Sequence, residues 1–269
     1  MHAVWIVGLV AVILAVLGVF LHLQNTLLTK THLVIEDESF QAPLRVVHLS
    51  DLHGATFGPQ NSRLLEKVKE EAPDLIFFTG DLADRRDTSW EDAVQTLAKL
   101  QEIAPVYYVS GNHEYGREDR EALFSAVAKA GICVLRHETQ TVYCKGMRLD
   151  IAGLDEVGYG VLTPQFLSNF EKRPGYKILL SHFPENIHLY SAYDIDTVFS
   201  GHAHGGQFRF PLLGGIYSPG QGLFPKYYQG LYQVQDTKLV VSRGLGNSRF
   251  PFRLFNYPDI VVVDFRPLA

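Results

Sequence analysis

The sequence predicts a layered α/β domain, a mixed sheet or a β-sandwich flanked by helices, carried behind an N-terminal transmembrane helix. Three observations carry this. Residues 45–130 alternate three short apolar runs with three helix-like segments, a β-α-β-α-β-α order that builds layers. After Gly131 strand-like runs follow one another closely, separated by turns, which points to an antiparallel portion and therefore to mixed sheets. Ala3 to Leu21 contains no charged residue, and about 20 apolar residues at 1.5 Å rise cross a hydrocarbon core.

Residues 1–24 are accordingly expected to anchor the chain in a bilayer. Trp5 at one end and His22, Gln24 and Asn25 at the other suit the interfaces. A cleaved signal peptide is the competing reading, but no Lys or Arg precedes the run and no small-x-small site follows it. Lys30 and Arg45 follow the span, a two-charge lean toward a cytoplasmic catalytic portion that leaves the sidedness open. Residues 25–43 read as a linker with a first strand at His32–Ile35, and residues 44–269 as the catalytic domain.

In that domain Arg45–Ser50 is the first core strand and runs into Asp51-Leu52-His53. Asn61 or Ser62 is placed to cap the following helix, whose Leu64, Leu65 and Val68 keep helical spacing. Asp74–Thr79, a continuous apolar run of the kind buried on both faces, ends at Gly80-Asp81. Ser89 with Asp92 resembles a capping box for a helix with Ala93, Val94, Leu97 and Leu100 on one stripe. Pro105–Ser110 ends at Gly111-Asn112-His113-Glu114, and a helix is expected over 118–130. Strands follow at 132–135, 140–144 and 148–153, then a short helix at Thr163–Phe170. Lys177–Ser181 ends at His182, and the next apolar run ends in Gly201-His202-Ala203-His204-Gly205-Gly206. There the two imidazoles are expected to alternate along an extended segment, with glycines allowing close approach and positive φ. Residues 205–230 form a long aperiodic loop, and loops of that length inside a domain usually serve function. Strands near 231–235, 238–242 and 259–265 close the chain.

Composition narrows the function. The 269 residues are 46% hydrophobic with a formal charge of −5, which argues against disorder. With no Lys/Arg run there is no footprint for nucleic acid. Cys133 and Cys144 form no C-x-x-C pair, so neither a thiolate metal site nor a disulfide framework is read.

Five apolar runs therefore end in Asp, His or Asn: Asp51, His53, Asp81, Asn112, His182, His202 and His204. One Asp after a strand is ordinarily a cap or turn, and one His an ordinary polar residue; five such ends in order are not chance. Ligands of α/β sheets gather at strand carboxyl ends. Oxygen and nitrogen donors without thiolate suit one or two divalent transition metals, with a carboxylate able to bridge the pair.

Asp51-Leu52-His53, Gly80-Asp81, Gly111-Asn112-His113-Glu114, His182 and Gly201-His202-Ala203-His204 together resemble the signature of the calcineurin-like metallophosphoesterases, over about residues 44–205. The resemblance implies a sandwich of mixed sheets flanked by helices, and hydrolysis of a phosphodiester or pyrophosphate by a hydroxide bridging two metals. Asp51, His53 and His204 would hold one metal; Asn112, His182 and His202 the other; Asp81 would bridge. His113 would contact the phosphoryl oxygen and protonate the leaving group, with Glu114 either orienting it or capping the next helix. Two divalent ions are implied, Mn first and Fe or Zn next, because this donor set selects poorly among them.

The segment from Gly201 to Tyr232 and Ser242–Ser248 further resembles a membrane-associated bacterial branch of that family, YkuE- and YaeI-like. It includes a membrane-anchored UDP-2,3-diacylglucosamine hydrolase of lipid A synthesis. The expected partners are a bilayer, that of the inner membrane, and a phosphorylated, lipidic small molecule; soluble or cell-envelope phosphodiesters are the alternative substrates, and a non-catalytic scaffold of the same fold the alternative role. Arg209, Arg243 and Arg249 are candidate phosphate contacts, since guanidinium binds phosphate bidentately, or else solvated loop residues. Phe208, Phe210, Leu212, Leu213, Phe224, Tyr227 and Tyr228 either line an acyl groove or touch the bilayer, or pack the loop on the core.

Overall fold

The computed structural model describes residues 2–156 and 159–268; Met1 and Ala269, the end residues of the expected anchor and domain, lie outside it. In chain order the helix α1 (His2–Thr26) leads into β1 (Thr29–Glu36) and β2 (Leu44–Leu49). Next come α2 (Ser62–Glu70), β3 (Leu75–Thr79), α3 (Glu91–Gln101), β4 (Val106–Val109), the single turn α4 (Asn112–Tyr115), α5 (Arg120–Lys129) and β5 (Cys133–Val134). The second half runs β6 (Glu138–Cys144), β7 (Met147–Gly153), α6 (Tyr159–Phe170), β8 (Tyr176–Leu180), α7 (Ile187–Tyr190) and β9 (Thr197–Ser200). Two small hairpins follow, β10 (Arg209–Phe210) with β11 (Gly214–Gly215), and β12 (Tyr217–Ser218) with β13 (Gly222–Leu223). The chain ends with β14 (Gly230–Val234), β15 (Thr237–Val241) and β16 (Asp259–Arg266).

Two six-stranded sheets form, ordered β1-β16-β2-β3-β4-β5 and β14-β15-β9-β8-β7-β6. Strand alternation sorts the side chains into layers. Val46, Leu75, Phe77, Ile178, Leu180, Phe199, Val240 and Val263 meet between the sheets. Val47, Leu49, Ile76 and Phe78 point the other way, onto Leu64, Val68, Leu97 and Leu123 of the helices. On the far side Leu179, Val198 and Leu239 pack against Leu167, Phe170, Ile187 and Tyr190. The result is a helix–sheet–sheet–helix sandwich.

Four sequence expectations change. The first strand belongs to the domain, since β1 pairs with β16 along all of Thr29–Glu36 and buries Ile35 between the sheets. The residues after Gly131 are not one antiparallel unit: β5 joins the first sheet parallel to β4, and only β6–β7 and β14–β15 are antiparallel in the second. Asn61 does not cap α2; its carboxamide accepts from the Phe57 amide and donates to Thr96 Oγ1, tying two helices together. Ser89 makes no capping bond to α3 but donates to Glu91.

Candidate active site

Asp51 and His53 follow β2, Asp81 follows β3, Asn112 and His113 follow β4, His182 follows β8, and His202 and His204 follow β9. Both sheets thus deliver side chains to one edge of the sandwich. The approach is tight: Gly201 is packed so closely that a Cβ there would land on Ser50 Oγ. Asp51, His53, Asp81, His202 and His204 all have φ between 46° and 63°, the left-handed region that non-glycine residues rarely occupy. The Gly-His-x-His segment is therefore not extended as expected. β9 stops at Ser200 and the two histidines are aimed by curled backbone, with Gly205 and Gly206 at positive φ between them and the loop.

The donor atoms form two sets sharing one carboxylate. In one, His53 Nε2 lies 3.3 Å from His204 Nε2 and 3.4 Å from Asp81 Oδ2, with Asp51 Oδ1 3.5 Å from His204 Nε2. In the other, His182 Nε2 lies 3.1 Å from His202 Nδ1 and 3.3 Å from the same Asp81 Oδ2. The Asn112 Oδ1 is buried without a hydrogen-bond partner. The second ring nitrogens face outward from the cluster: His182 Nδ1 donates to the Thr79 carbonyl at 2.7 Å, which turns Nε2 toward Asp81, and His202 Nε2 faces Glu185, 3.7 Å from its Oε1.

Charge follows geometry. Burial lowers His53 to about 4 and His202 to about 3, and carries His204 well below its ordinary value, so these rings are neutral lone-pair donors. At His182 burial also acts downward, but Asp81 and Asp51 outweigh it and raise the ring to about 10. The two carboxylates thus draw positive charge into a site whose other donors are neutral. Buried oxygen and nitrogen donors, an orphaned carboxamide oxygen and a shared carboxylate fit a pair of divalent cations.

Around this floor opens a cleft of about 310 Å³, lined also by Arg85, Arg86, His113, Tyr217, Pro219, Ser248 and Arg249. His113 donates its amide to Asp81 Oδ1 at 2.9 Å. Its Nδ1 accepts the Arg85 amide at 3.2 Å and lies 3.3 Å from Asp84 Oδ2, and its Nε2 lies 3.1 Å from Ser248 Oγ. The neutral ring therefore carries its proton on Nε2, and Asp84 stabilises the doubly protonated ring.

Glu114 does not orient His113. Its carboxylate accepts the amides of Asp81 (2.9 Å), Gly111 (2.8 Å) and Ala83 (3.0 Å), capping α4 and clamping the β3 and β4 loops together. Of the three candidate phosphate contacts, Arg249 lines the cleft. Arg243 does not: it pairs with buried Asp259 at 2.7 Å and donates to Thr29 Oγ1, joining β1 to β16. Arg209 sits in a separate cleft with Phe210, Leu212 and Phe255. Asp84, Arg85, Glu185 and Ser248 were missed from sequence. The charged run Asp84-Arg85-Arg86-Asp87 just after a strand end was the readable signal for the first two, and Glu185 three residues after His182 for the third.

A sandwich whose strand ends bring together two cation-binding sets with one common carboxylate is the architecture of a dimetal phosphoester hydrolase. Residues 44–206 match the calcineurin-like phosphoesterase family, and the chain belongs to it as a metal-dependent phosphoester hydrolase. It is 32% identical to the metallophosphoesterase YkuE of Bacillus subtilis over 81% of this chain and 77% of that one. It is 27% identical to the phosphodiesterase YaeI of Escherichia coli, over 83% of this chain and 82% of that one. A zebrafish transmembrane protein with a metallophosphoesterase domain is 30% identical over 81% of this chain and 52% of its own length.

Proposed function

We propose that this chain is a single-pass enzyme of the inner membrane that hydrolyses a phosphodiester or pyrophosphate bond of an amphiphilic substrate, UDP-2,3-diacylglucosamine being the leading candidate. The observation that carries the reading is Asp81 Oδ2, 3.4 Å from His53 Nε2 and 3.3 Å from His182 Nε2. Asp51, His53 and His204 would hold one cation, Asn112, His182 and His202 the other, and Asp81 both, with manganese the first choice. Bound there, such a pair supplies Lewis acidity to the phosphoryl oxygens and acidifies a water.

The chain's own residues do the rest. His113 presents an Nε2 proton to the cleft, where a leaving oxygen needs one. Arg85 and Arg249 add positive charge on the rim, which favours a substrate with a second anionic group, as in a diphosphate. α1 is apolar and long enough to cross a bilayer, which favours a lipidic substrate. The phosphodiesterase name of the E. coli relative supports the second reading, a soluble or cell-envelope phosphodiester.

The test is EDTA-sensitive hydrolysis by the full-length protein in detergent with Mn²⁺, comparing UDP-2,3-diacylglucosamine with bis-p-nitrophenyl phosphate. Preference for the lipid supports the leading substrate, and cleavage of the aryl diester alone moves the assignment to the second. Asp81→Ala is expected to remove turnover of either while the protein stays folded; wild-type turnover in that variant would overturn the two-cation reading.

A further inference from the structure

Three exposed apolar residues of the domain, Phe210, Leu212 and Phe255, gather beside the end of α1. α1 spans about 37 Å and Phe20, inside its apolar run, packs edge-on against Phe255 at 5.8 Å. Phe255 in turn packs against Phe210 at 6.3 Å, and Phe210, Leu212, Phe255 and Arg209 line one cleft of about 500 Å³. Leu212 is fully exposed, and Leu213, Leu223 and Phe224 are each more than 60% exposed on the two hairpins. Tyr227, by contrast, is buried in the core, so the loop aromatics divide into packed and displayed sets.

Backbone geometry adds an independent observation. Leu212, Phe224 and Phe255 have φ of 72°, 52° and 51°. Bulky side chains rarely adopt that region, and here none of the three is driven into it by burial, since all are exposed. Three apolar side chains thus stand outward on left-handed backbone.

What lies there follows from α1. Asn25 Oδ1 accepts the Arg253 amide at 3.0 Å and the Asn247 carboxamide at 3.0 Å, and Gln24 accepts the Asn256 amide. The end of the helix is thus fastened to the segment that carries Phe255, and cannot swing away from it. Contact with Phe20 fixes Phe255 at the level where the helix's apolar run gives way to polar residues, the boundary between acyl chains and headgroups. We infer that Phe255, Phe210 and the Leu212-Leu213 tip of the β10–β11 hairpin seat in the outer acyl layer of the bilayer beside α1, with Arg209 at the level of the lipid phosphates. Tyr217, two residues after β11, lines the catalytic cleft, so the hairpin that dips into lipid leads directly into the rim of the catalytic opening. A lipidic substrate then needs to rise only to headgroup depth.

This rests on α1 crossing the membrane, and the experiment separates the two. Wild-type protein, Trp5→Phe, and Leu212→Trp or Tyr143→Trp in a Trp5→Phe/Trp90→Phe background, which removes both native indoles, are reconstituted in phosphatidylcholine/phosphatidylglycerol vesicles with acyl chains brominated near the headgroup end. Quenching of native Trp5 relative to Trp5→Phe reports the anchor. The Leu212→Trp indole is expected to lose at least about half its emission to bromolipid and to resist aqueous iodide. Tyr143→Trp, exposed on β6, is expected to show the reverse. An anchor signal with a Leu212→Trp indole open to iodide overturns the inference, and so does an indole shielded from both quenchers, which would place another protein surface over the patch.

Discussion

Five of the seven donor residues hold left-handed backbone, at about 1 kcal/mol or more each. The surrounding contacts that impose it are therefore part of the site. Asp51 accepts the His202 amide with both oxygens at 3.1 Å, so the donors after β2 and β9 position each other across the two sheets. Gly201 makes that approach possible. Gly201→Ala would place a Cβ on Ser50 Oγ and 2.5 Å from Asp51 Oδ2. It is expected to destabilise the fold by about 1–3 kcal/mol and to weaken cation binding at least about tenfold, measured by urea unfolding and by metal retained after dialysis. Wild-type metal retention would show that Asp51 does not depend on this approach. The seven donors were legible because each directly follows an apolar run. Asp84 and Glu114 were not legible in their roles, because the His113 ring that Asp84 serves and the Asp81 and Ala83 amides that Glu114 serves lie 29 to 33 residues away in the chain. No local pattern encodes such a pairing.

Among the elements, the core strands could be read to within a residue or so because burial on both faces leaves a continuous apolar run, as in Leu75–Thr79 and Tyr176–Leu180. Caps were misread because Asn61 bonds across to Thr96 of α3, and Ser89 donates to the Glu91 side chain rather than accepting a backbone amide. The same holds for strand direction: whether neighbours run parallel depends on crossovers, which turn spacing does not report. Buried Asp150 on β7 shows how such pairings are secured. It accepts from Thr141 on β6, from Arg148 at 3.2 Å, from Arg173 at 3.3 Å and from the Gly175 amide at 2.9 Å just before β8. Burial would raise its carboxyl, but these bonds and charges outweigh it and hold the carboxyl below its ordinary value of 3.8. A depressed acid stabilises the fold above its unfolded value and ceases to as pH falls through its folded one. Wild-type stability is thus expected to drop below about pH 4 more steeply than that of Asp150→Asn, which starts lower and varies less. Urea midpoints between neutral and strongly acidic pH check this; parallel curves would contradict it.

At the scale of the whole molecule, α1 and the catalytic edge are one mechanical unit, a coupling invisible in sequence because its three parts are far apart in the chain. Asn256 is the joint. Its amide donates to Gln24 of α1 at 3.3 Å, while its side chain donates to the carbonyls of His204 at 2.7 Å and Gln207 at 3.2 Å. Gly205 has no room for a side chain because Asn256 stands against it. The curl that aims His204 is therefore held from outside its own loop, by a residue that also receives the end of α1. Removing the carboxamide leaves two buried carbonyls with a lost donor and frees the His204 backbone, while Asp51, His53 and Asp81 stay in place. Asn256→Ala is expected to lower affinity for the cation held by His204 by about 10–100-fold, the usual effect of losing a group that orients a metal ligand. The His182–His202 set should change far less, because its ring contacts run through Thr79 and Glu185. Stepwise metal titration of full-length protein in detergent resolves the two affinities. Equal weakening of both sites would mean that Asn256 supports the whole edge rather than one ligand, and no weakening would mean that the loop holds its curl without it.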